Sequence, residues 1–336
     1  EMMINPPCGG VMELRKSISG YLKEFCAMYV RPEQIIIGAG TEYLYSILIQ
    51  LLGRNVCYGV ENPGYPKIAK IYRSMGVKYE YIDLDEEGTS AKKLEEKKVD
   101  IMHISPSHHF PTGMVMPISK RYELLGWVTR EKERYIIEDD YDSEFRYKGM
   151  PIPSLQALDR TGKVIYLGTF SKSIAPAIRV SYMVLPPEMT RQYEEKLGFV
   201  SSTVSRIDQA ILYHFLEEGH FERYLNKMRK LYKGKHDLLM EQLKPFRTAF
   251  DISGEQAGLH VILTPKDPRT TETELSRLAK EQDCHVYAMG DYRLEHLESV
   301  RTERPAAIIL GYASMTEKEI EAGTEALKKA WKLHEI

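Results

Sequence analysis

Cysteine is scarce in this chain of 336 residues. The four present, Cys8, Cys26, Cys57 and Cys284, are scattered, with no C-x-x-C pair and no Cys/His ligand spacing. That pattern argues against a zinc site and a disulfide framework, and it fits a reducing cytoplasm. Long apolar runs are missing too. None approaches the ~18 residues of a membrane span, so a membrane protein is not expected. Neither charge sign dominates: Lys and Arg number 46 against 48 Asp and Glu, a formal charge of -2. The chain therefore lacks the basic footprint that direct binding of a nucleic-acid backbone needs. Repeats and low-complexity tracts are absent, and the nearest to a loose loop is Thr264–Thr273. The start, Glu1-Met2-Met3-Ile4-Asn5, has neither a basic n-region nor an apolar h-region. It does not read like a native N-terminus, and a fragment is the expectation.

What is present is ample material for a core. At 38.8 kDa the chain exceeds one typical domain, so two domains, or one large α/β unit with an appendage, are expected. Apolar runs rich in β-branched and aromatic residues recur at Ile35–Ile37, Val56–Val60, Tyr79–Ile82, Ile101–Ser105, Tyr135–Glu138, Val164–Leu167 and Val180–Leu185. Helix-length segments separate most of them, with entry signals such as Thr41-Glu42 and Ser119. Short, nearly all-apolar strands imply an α/β fold with a mainly parallel sheet covered by helices on both faces. From Ser205 to about Leu243 the pattern turns helical, with a break near Gly219. After Pro245 a smaller α+β unit is expected: strand Leu259–Leu263, helix Glu272–Gln282, strands His285–Ala288 and Ala307–Tyr312, helix Glu317–Leu333. The expected division is a large domain over 1–218, a connecting helix over 219–244 and a small C-terminal domain over 245–336.

In an open parallel sheet, ligands sit outside the carboxyl ends of the strands. The first strand ends in Gly38-Ala39-Gly40-Thr41-Glu42, small residues and a helix start able to offer N–H groups to a phosphate. A dinucleotide fingerprint would need glycine at position 43, where Tyr43 stands, so a nicotinamide cofactor is set aside. Strand Tyr135–Glu138 runs into Asp139-Asp140-Tyr141, carboxylates that are costly to bury without a cationic partner such as a protonated pyridine nitrogen. Strand Val164–Leu167 runs into Gly168-Thr169-Phe170-Ser171-Lys172, with Arg179 seven residues on. Hydroxyls and a guanidinium suit a phosphate, and an amine in cationic company suits an aldehyde. The set suggests pyridoxal phosphate.

The segments Glu61-Asn62-Pro63-Gly64-Tyr65, Pro106-Ser107-His108-His109-Phe110-Pro111-Thr112-Gly113, Glu138–Phe145 and Gly168–Arg179 resemble fold-type I aminotransferases. The spelling Asp-Asp-Tyr-Asp-Ser-Glu-Phe, with Tyr141 two positions after Asp139, resembles more narrowly the aminotransferase-like domain of MocR regulators of the GntR family. The resemblance implies that Lys172 carries the cofactor as an aldimine, Asp139 pairs with the pyridine nitrogen, Tyr141 bonds the ring hydroxyl and Tyr65 stacks on the ring. Thr169, Ser171, Arg179 and the N–H groups of Gly40, Thr41 and Glu42 would hold the phosphate. His109 and Phe110 would lie beside the ring, and Phe110 cannot donate the hydrogen bond that an asparagine supplies in many of these enzymes. A homodimer is implied, with DNA contacted only by an N-terminal winged-helix domain outside these residues. Family dimers borrow a tyrosine from the partner's N-terminal segment, and Met2, Met3 and Ile4 offer none.

Two functions stay open: a sensor in which a small amino compound displaces Lys172, and a working aminotransferase acting on an amino acid and a 2-oxo acid. Both need the same lysine, aspartate and tyrosine. Ile308-Ile309-Leu310-Gly311-Tyr312 lacks the arginine with which aminotransferases grip a substrate carboxylate. Lys67, Arg293, Arg301 and Arg304 are the remaining cations, Lys67 and Arg293 being the candidates for the effector carboxylate, with Phe110 beside them. His103, His108 and His109 are expected to pack or hydrogen-bond rather than bind metal, and His260 to be structural. Tyr43, Tyr45, Tyr72, Tyr79 and Tyr81 are assigned to core or dimer surface. The basic series Arg223, Lys227, Arg229, Lys230, Lys233 and Lys235 reads as a solvated helix face.

Overall fold

Seven of the apolar runs form strands in the computed structural model: β1 Ile35–Gly38, β2 Cys57–Asn62, β3 Lys78–Asp83, β4 Ile101–Ile104, β5 Tyr135–Asp140, β6 Val164–Thr169 and β7 Ser181–Val184. The structure describes residues 4–145, 152–255, 258–294 and 305–333, with the side chains of Lys172 and Pro176 outside that description. The strands pair in the order β1-β7-β6-β5-β4-β2-β3. β7 is antiparallel to both neighbours, and the other pairings are parallel.

Burial on both faces explains why these strands are almost wholly apolar. Successive side chains point to opposite faces of a strand. Ile36, Ile165, Leu167 and Met183 therefore pack with Leu44 and Leu48 of helix Thr41–Leu52 on one face. Ile35, Ile37, Tyr166 and Val184 meet Leu14, Ile18 and Leu22 of helix Met12–Cys26 on the other. Further along the sheet, Met102, Ile104 and Ile136 pack on Leu124 and Trp127 of helix Ile118–Val128. Helix Met12–Cys26 was not among the elements read from the sequence, although Leu14, Ile18 and Leu22 recur every four residues, as a buried helical stripe requires.

The helical stretch divides into Arg206–Glu217 and His220–Gln242, and the break falls at Gly219, whose φ of 67° suits glycine. Several members of the basic series have partners: Arg229 Nε donates to the Glu144 carbonyl and Lys235 Nζ to the Ala313 carbonyl, both at 2.8 Å. Beyond the long helix lies an antiparallel sheet of four strands, β8 Phe250–Ser253, β9 His260–Pro265, β10 Tyr287–Ala288 and β11 Ile308–Gly311, in the order β10-β11-β9-β8. Helices Glu272–Lys280 and Glu317–Ala330 cover it through Leu275, Ile320 and Leu327. β8 is an edge strand that the sequence reading lacked: only Phe250 and Ile252 alternate with Asp251 and Ser253, too short a pattern to stand out. Among the described residues no helix is long and apolar enough to cross a membrane.

The smaller sheet touches the larger one at strand ends. Gly64 N donates to the Tyr292 carbonyl at 2.9 Å, Leu294 N to Asn62 Oδ1 at 2.8 Å, and Gly258 N to the Phe145 carbonyl at 2.9 Å.

Candidate functional site

A cavity of about 290 Å³ opens at the carboxyl ends of β2, β4, β5 and β6. Parallel packing collects there the residues that follow each strand. Gly40, Thr41, Glu42, Tyr65, His109, Phe110, Asp139, Tyr141, Thr169, Ser171 and Arg179 all line it, and so does Lys67. Lys172 lies in the turn of helix Phe170–Ser173 directly after β6, and its side chain is outside the described ones.

One end is acidic. Asp139, the penultimate residue of β5, is largely buried. Its Oδ2 accepts from the Tyr45 hydroxyl at 2.5 Å and faces His103 Nε2 at 3.4 Å. A carboxylate only accepts, so Nε2 carries the imidazole hydrogen and Nδ1 takes the Tyr72 hydroxyl at 2.9 Å. Burial, then the Asp139 charge, holds the Tyr45 phenol well above its ordinary pKa, so it remains a donor. Tyr45 is a core residue, as expected, and its hydroxyl in addition reaches the cavity lining at Asp139. The neighbouring Asp140 is turned away, accepting from the Tyr166 hydroxyl at 2.8 Å.

The opposite end is basic and rich in hydroxyls. Gly40, the residue before helix Thr41–Leu52, has φ 90° and ψ 164°, a conformation that L side chains rarely adopt. A Cβ there would also stand 2.4 Å from Arg179 Nη2. Thr169 Oγ1 caps the helix after β6 by accepting from Ser171 N, and it also accepts from Ser181 Oγ at 2.9 Å. Ser171 Oγ is buried and has no hydrogen-bond partner. Arg179 sits in the left-handed region at φ 48°, an uncommon conformation for a residue other than glycine. The Glu42 carboxylate bridges Arg179 and Lys67, and the Lys67 hydrogen bond is the main reason why its pKa is lowered.

Between the ends lie the aromatic and imidazole groups. Tyr65 is half exposed and meets Phe110 edge to face, with centroids 6.2 Å apart. Phe110 in turn packs against Tyr292 at 5.0 Å and His260 at 5.4 Å. His109 is buried, and burial lowers its pKa to about 3, so it is neutral at physiological pH. Its Nδ1 lies 2.7 Å from Thr112 Oγ1 and its Nε2 lies 3.4 Å from Glu61. Burial raises Glu61 to about 8 against the opposing bonds from Ser105 N and Thr89 Oγ1. The Glu61–His109 contact is therefore one between neutral groups near pH 7, not an ion pair. Glu61 opens the segment Glu61-Asn62-Pro63-Gly64-Tyr65, and the sequence alone assigns it no role. Its only signal there was a carboxylate at the end of a buried strand.

One sequence candidate is misplaced. Arg293 does not line the cavity; its Nη2 donates to the Pro305 carbonyl at 2.6 Å and its Nη1 lies 3.6 Å from Glu272. The carbonyl and carboxylate beside its own segment satisfy the guanidinium. Arg301, Arg304, Met2 and Met3 lie outside the described residues. Among the described residues no group of three metal-ligating side chains is assembled.

The donor set fits pyridoxal phosphate. A buried carboxylate at one end can meet a protonated ring nitrogen. Elsewhere in the lining, an unpartnered serine hydroxyl, the Gly40 backbone in a conformation that favours glycine and an arginine can meet a phosphate.

Comparison with known proteins agrees. The family model described as aminotransferase class I and II matches residues 2–327. The chain is 38% identical, over 96% of its length and 68% of the relative's, to the uncharacterized HTH-type transcriptional regulator YdeL of Bacillus subtilis. It is 28% identical to the probable rhizopine catabolism regulatory protein MocR of Rhizobium meliloti, over 96% of its own length and 64% of that protein's. Its fold matches Pyrococcus horikoshii kynurenine aminotransferase with a TM-score of 0.82 at 23% identity, covering 98% of this chain and 82% of that one.

Proposed function

The chain belongs to the aminotransferase class I and II family, whose cofactor is pyridoxal phosphate, and from that premise we propose that it is the effector-sensing part of an HTH-type transcriptional regulator. Three relatives matched over 96% of the chain at 28–38% identity carry regulator names, against 25% for an aromatic-amino-acid aminotransferase of Thermococcus litoralis matched over the same share, which supports a regulatory role over a metabolic one. In this reading residues 1–218 form the cofactor-binding unit, 219–244 the connecting helix and 245–336 the smaller unit. The chain pairs as a homodimer, and a winged-helix domain outside these residues contacts DNA.

The observation that carries the cofactor assignment is that Asp139, Ser171 and Arg179 line one cavity, with Lys172 next to Ser171 in the turn after β6. When bound, pyridoxal phosphate would supply an aldehyde function able to take up an amine, for which Lys172 and the amino group of a small effector would compete. The protein's part is to hold and orient. Asp139, fixed by Tyr45 and His103, binds the ring nitrogen; Tyr141 donates to the ring oxygen; Tyr65 covers one ring face. Ser171, Thr169, Arg179 and the N–H groups of Gly40, Thr41 and Glu42 grip the phosphate, while Phe110 and neutral His109 line the ring's side. Lys67 meets the effector's acidic group.

The test is to load the chain with pyridoxal phosphate, titrate a panel of amino compounds while following the cofactor's absorbance, and assay steady turnover with pairs of amino and 2-oxo acids. We expect a saturable absorbance change with a subset of compounds and negligible turnover. Sustained turnover would make the chain a working aminotransferase.

A further inference from the structure

The imidazole of His108 and the carboxylate of Asp142 form a buried cluster beside the cavity that holds no part of the donor set above. Both are almost fully buried. His108 Nδ1 lies 2.8 Å from Asp142 Oδ2 and 3.1 Å from Oδ1, and the Tyr141 hydroxyl lies 3.1 Å from the same nitrogen. An imidazole nitrogen facing a carboxylate must carry the hydrogen, since the carboxylate only accepts. Nδ1 is thus a donor held between the Asp142 carboxylate and the Tyr141 hydroxyl. Nε2 is left bare, and it is buried with no hydrogen-bond partner.

The small sheet closes over this bare edge. The His260 ring of β9 lies 5.2 Å away, and a Cβ at Gly258 would come within 1.8 Å of His108 Cε1. Gly258 has φ 78°, so both its conformation and the space demand glycine. Tyr141 cannot donate to a nitrogen that already carries a hydrogen. Its phenol stays protonated, because burial, followed by the charges of Asp142, Asp139 and Asp140, holds its pKa well above the ordinary value.

We propose that Asp142 and His108 are positioning residues that act through Tyr141: the His108 Nδ1–H, held by Asp142, presents no lone pair to the Tyr141 hydroxyl and so leaves the Tyr141 hydrogen to point into the cavity. This rests on the cofactor reading of the cavity and adds to it how the tyrosine is aimed. It also gives a physical use to the short spacing of Asp139, Tyr141 and Asp142. The tyrosine and the carboxylate that orients its partner are adjacent in sequence and converge on one imidazole.

The experiment is a double-mutant cycle read out by cofactor affinity and by the pH midpoint of the bound cofactor's absorbance. His108→Phe should weaken pyridoxal phosphate binding by about ten-fold, the loss of one charge-assisted network contact. It should move the midpoint in the direction that Tyr141→Phe moves it. In the Tyr141→Phe background the same substitution should change affinity by less than about two-fold and leave the midpoint in place. Asp142→Asn, which preserves shape, should follow the same pattern with a smaller effect, and it carries the cycle if His108→Phe does not fold. Equal effects with and without the Tyr141 hydroxyl would reduce the pair to packing and overturn the proposal, as would a parent-like affinity and midpoint in both variants. A parent chain that takes up no pyridoxal phosphate would instead overturn the cofactor reading, and this inference with it.

Discussion

Tyr45 donates its hydroxyl to Asp139 Oδ2 at 2.5 Å, across 94 residues of sequence. Tyr45 stands on helix Thr41–Leu52, whose first residues line the basic end of the cavity while Asp139 forms the acidic end. One rigid helix therefore spaces the two ends of the site. The two groups are thus placed by a fixed element, not by loops that would have to order on binding.

Asp139→Asn should weaken pyridoxal phosphate binding more than any single phosphate contact does, because an amide does not stabilise a protonated ring nitrogen as a carboxylate does. Tyr45→Phe removes one hydrogen bond to that carboxylate and should cost roughly ten-fold in affinity. Equilibrium dialysis measures both. Parent-like affinity in Asp139→Asn would place the ring nitrogen elsewhere.

Lys67→Ala should raise the effector concentration needed for half the absorbance change by roughly ten-fold while leaving the cofactor attached to the protein. Arg293→Ala should leave that concentration within about two-fold of the parent, because its guanidinium is committed to Pro305 and Glu272. The reverse ranking of the two variants would move the effector's acidic group to the small sheet.

The buried Glu61 sets a pH dependence whose sign follows from its raised pKa. Folded, it keeps its proton up to about pH 8; unfolded, it ionises near the ordinary value of 4.5. The folded state thus holds more protons across that window, and this contribution to stability is lost as pH rises through it. Glu138 and Glu144, each raised to about 7 chiefly by burial, act in the same direction. Glu61→Gln should therefore flatten, without abolishing, the decline of the denaturation midpoint between about pH 5 and 8. A decline as steep as the parent's would mean that Glu61 is ionised in the folded protein.

Much of this site was legible in the sequence because parallel strands are short apolar runs whose last residues are chemically conspicuous. Asp139, Tyr141, Ser171 and Arg179 announced themselves that way, and the cavity gathers them. Tyr45 did not. It follows Leu44 in a helix with the spacing of core residues, and only the fold brings its hydroxyl to Asp139. Arg293 was expected near the cavity from its place after a short strand, but nearness in sequence to the closing unit did not reveal that Glu272 and the Pro305 carbonyl would take its guanidinium. β8 and helix Met12–Cys26 were missed for opposite reasons: the first carries too few apolar residues to show a period, while the second carries a regular stripe that lay outside the segments rich in chemistry.

The most direct measurement is to load the chain with pyridoxal phosphate, reduce the carbon–nitrogen linkage with borohydride, and locate the modified lysine by peptide mass spectrometry. Lys172 should carry the pyridoxyl group, and Lys172→Ala should acquire none. A modification at another lysine, or scattered over many with Lys172 bare, would contradict this assignment.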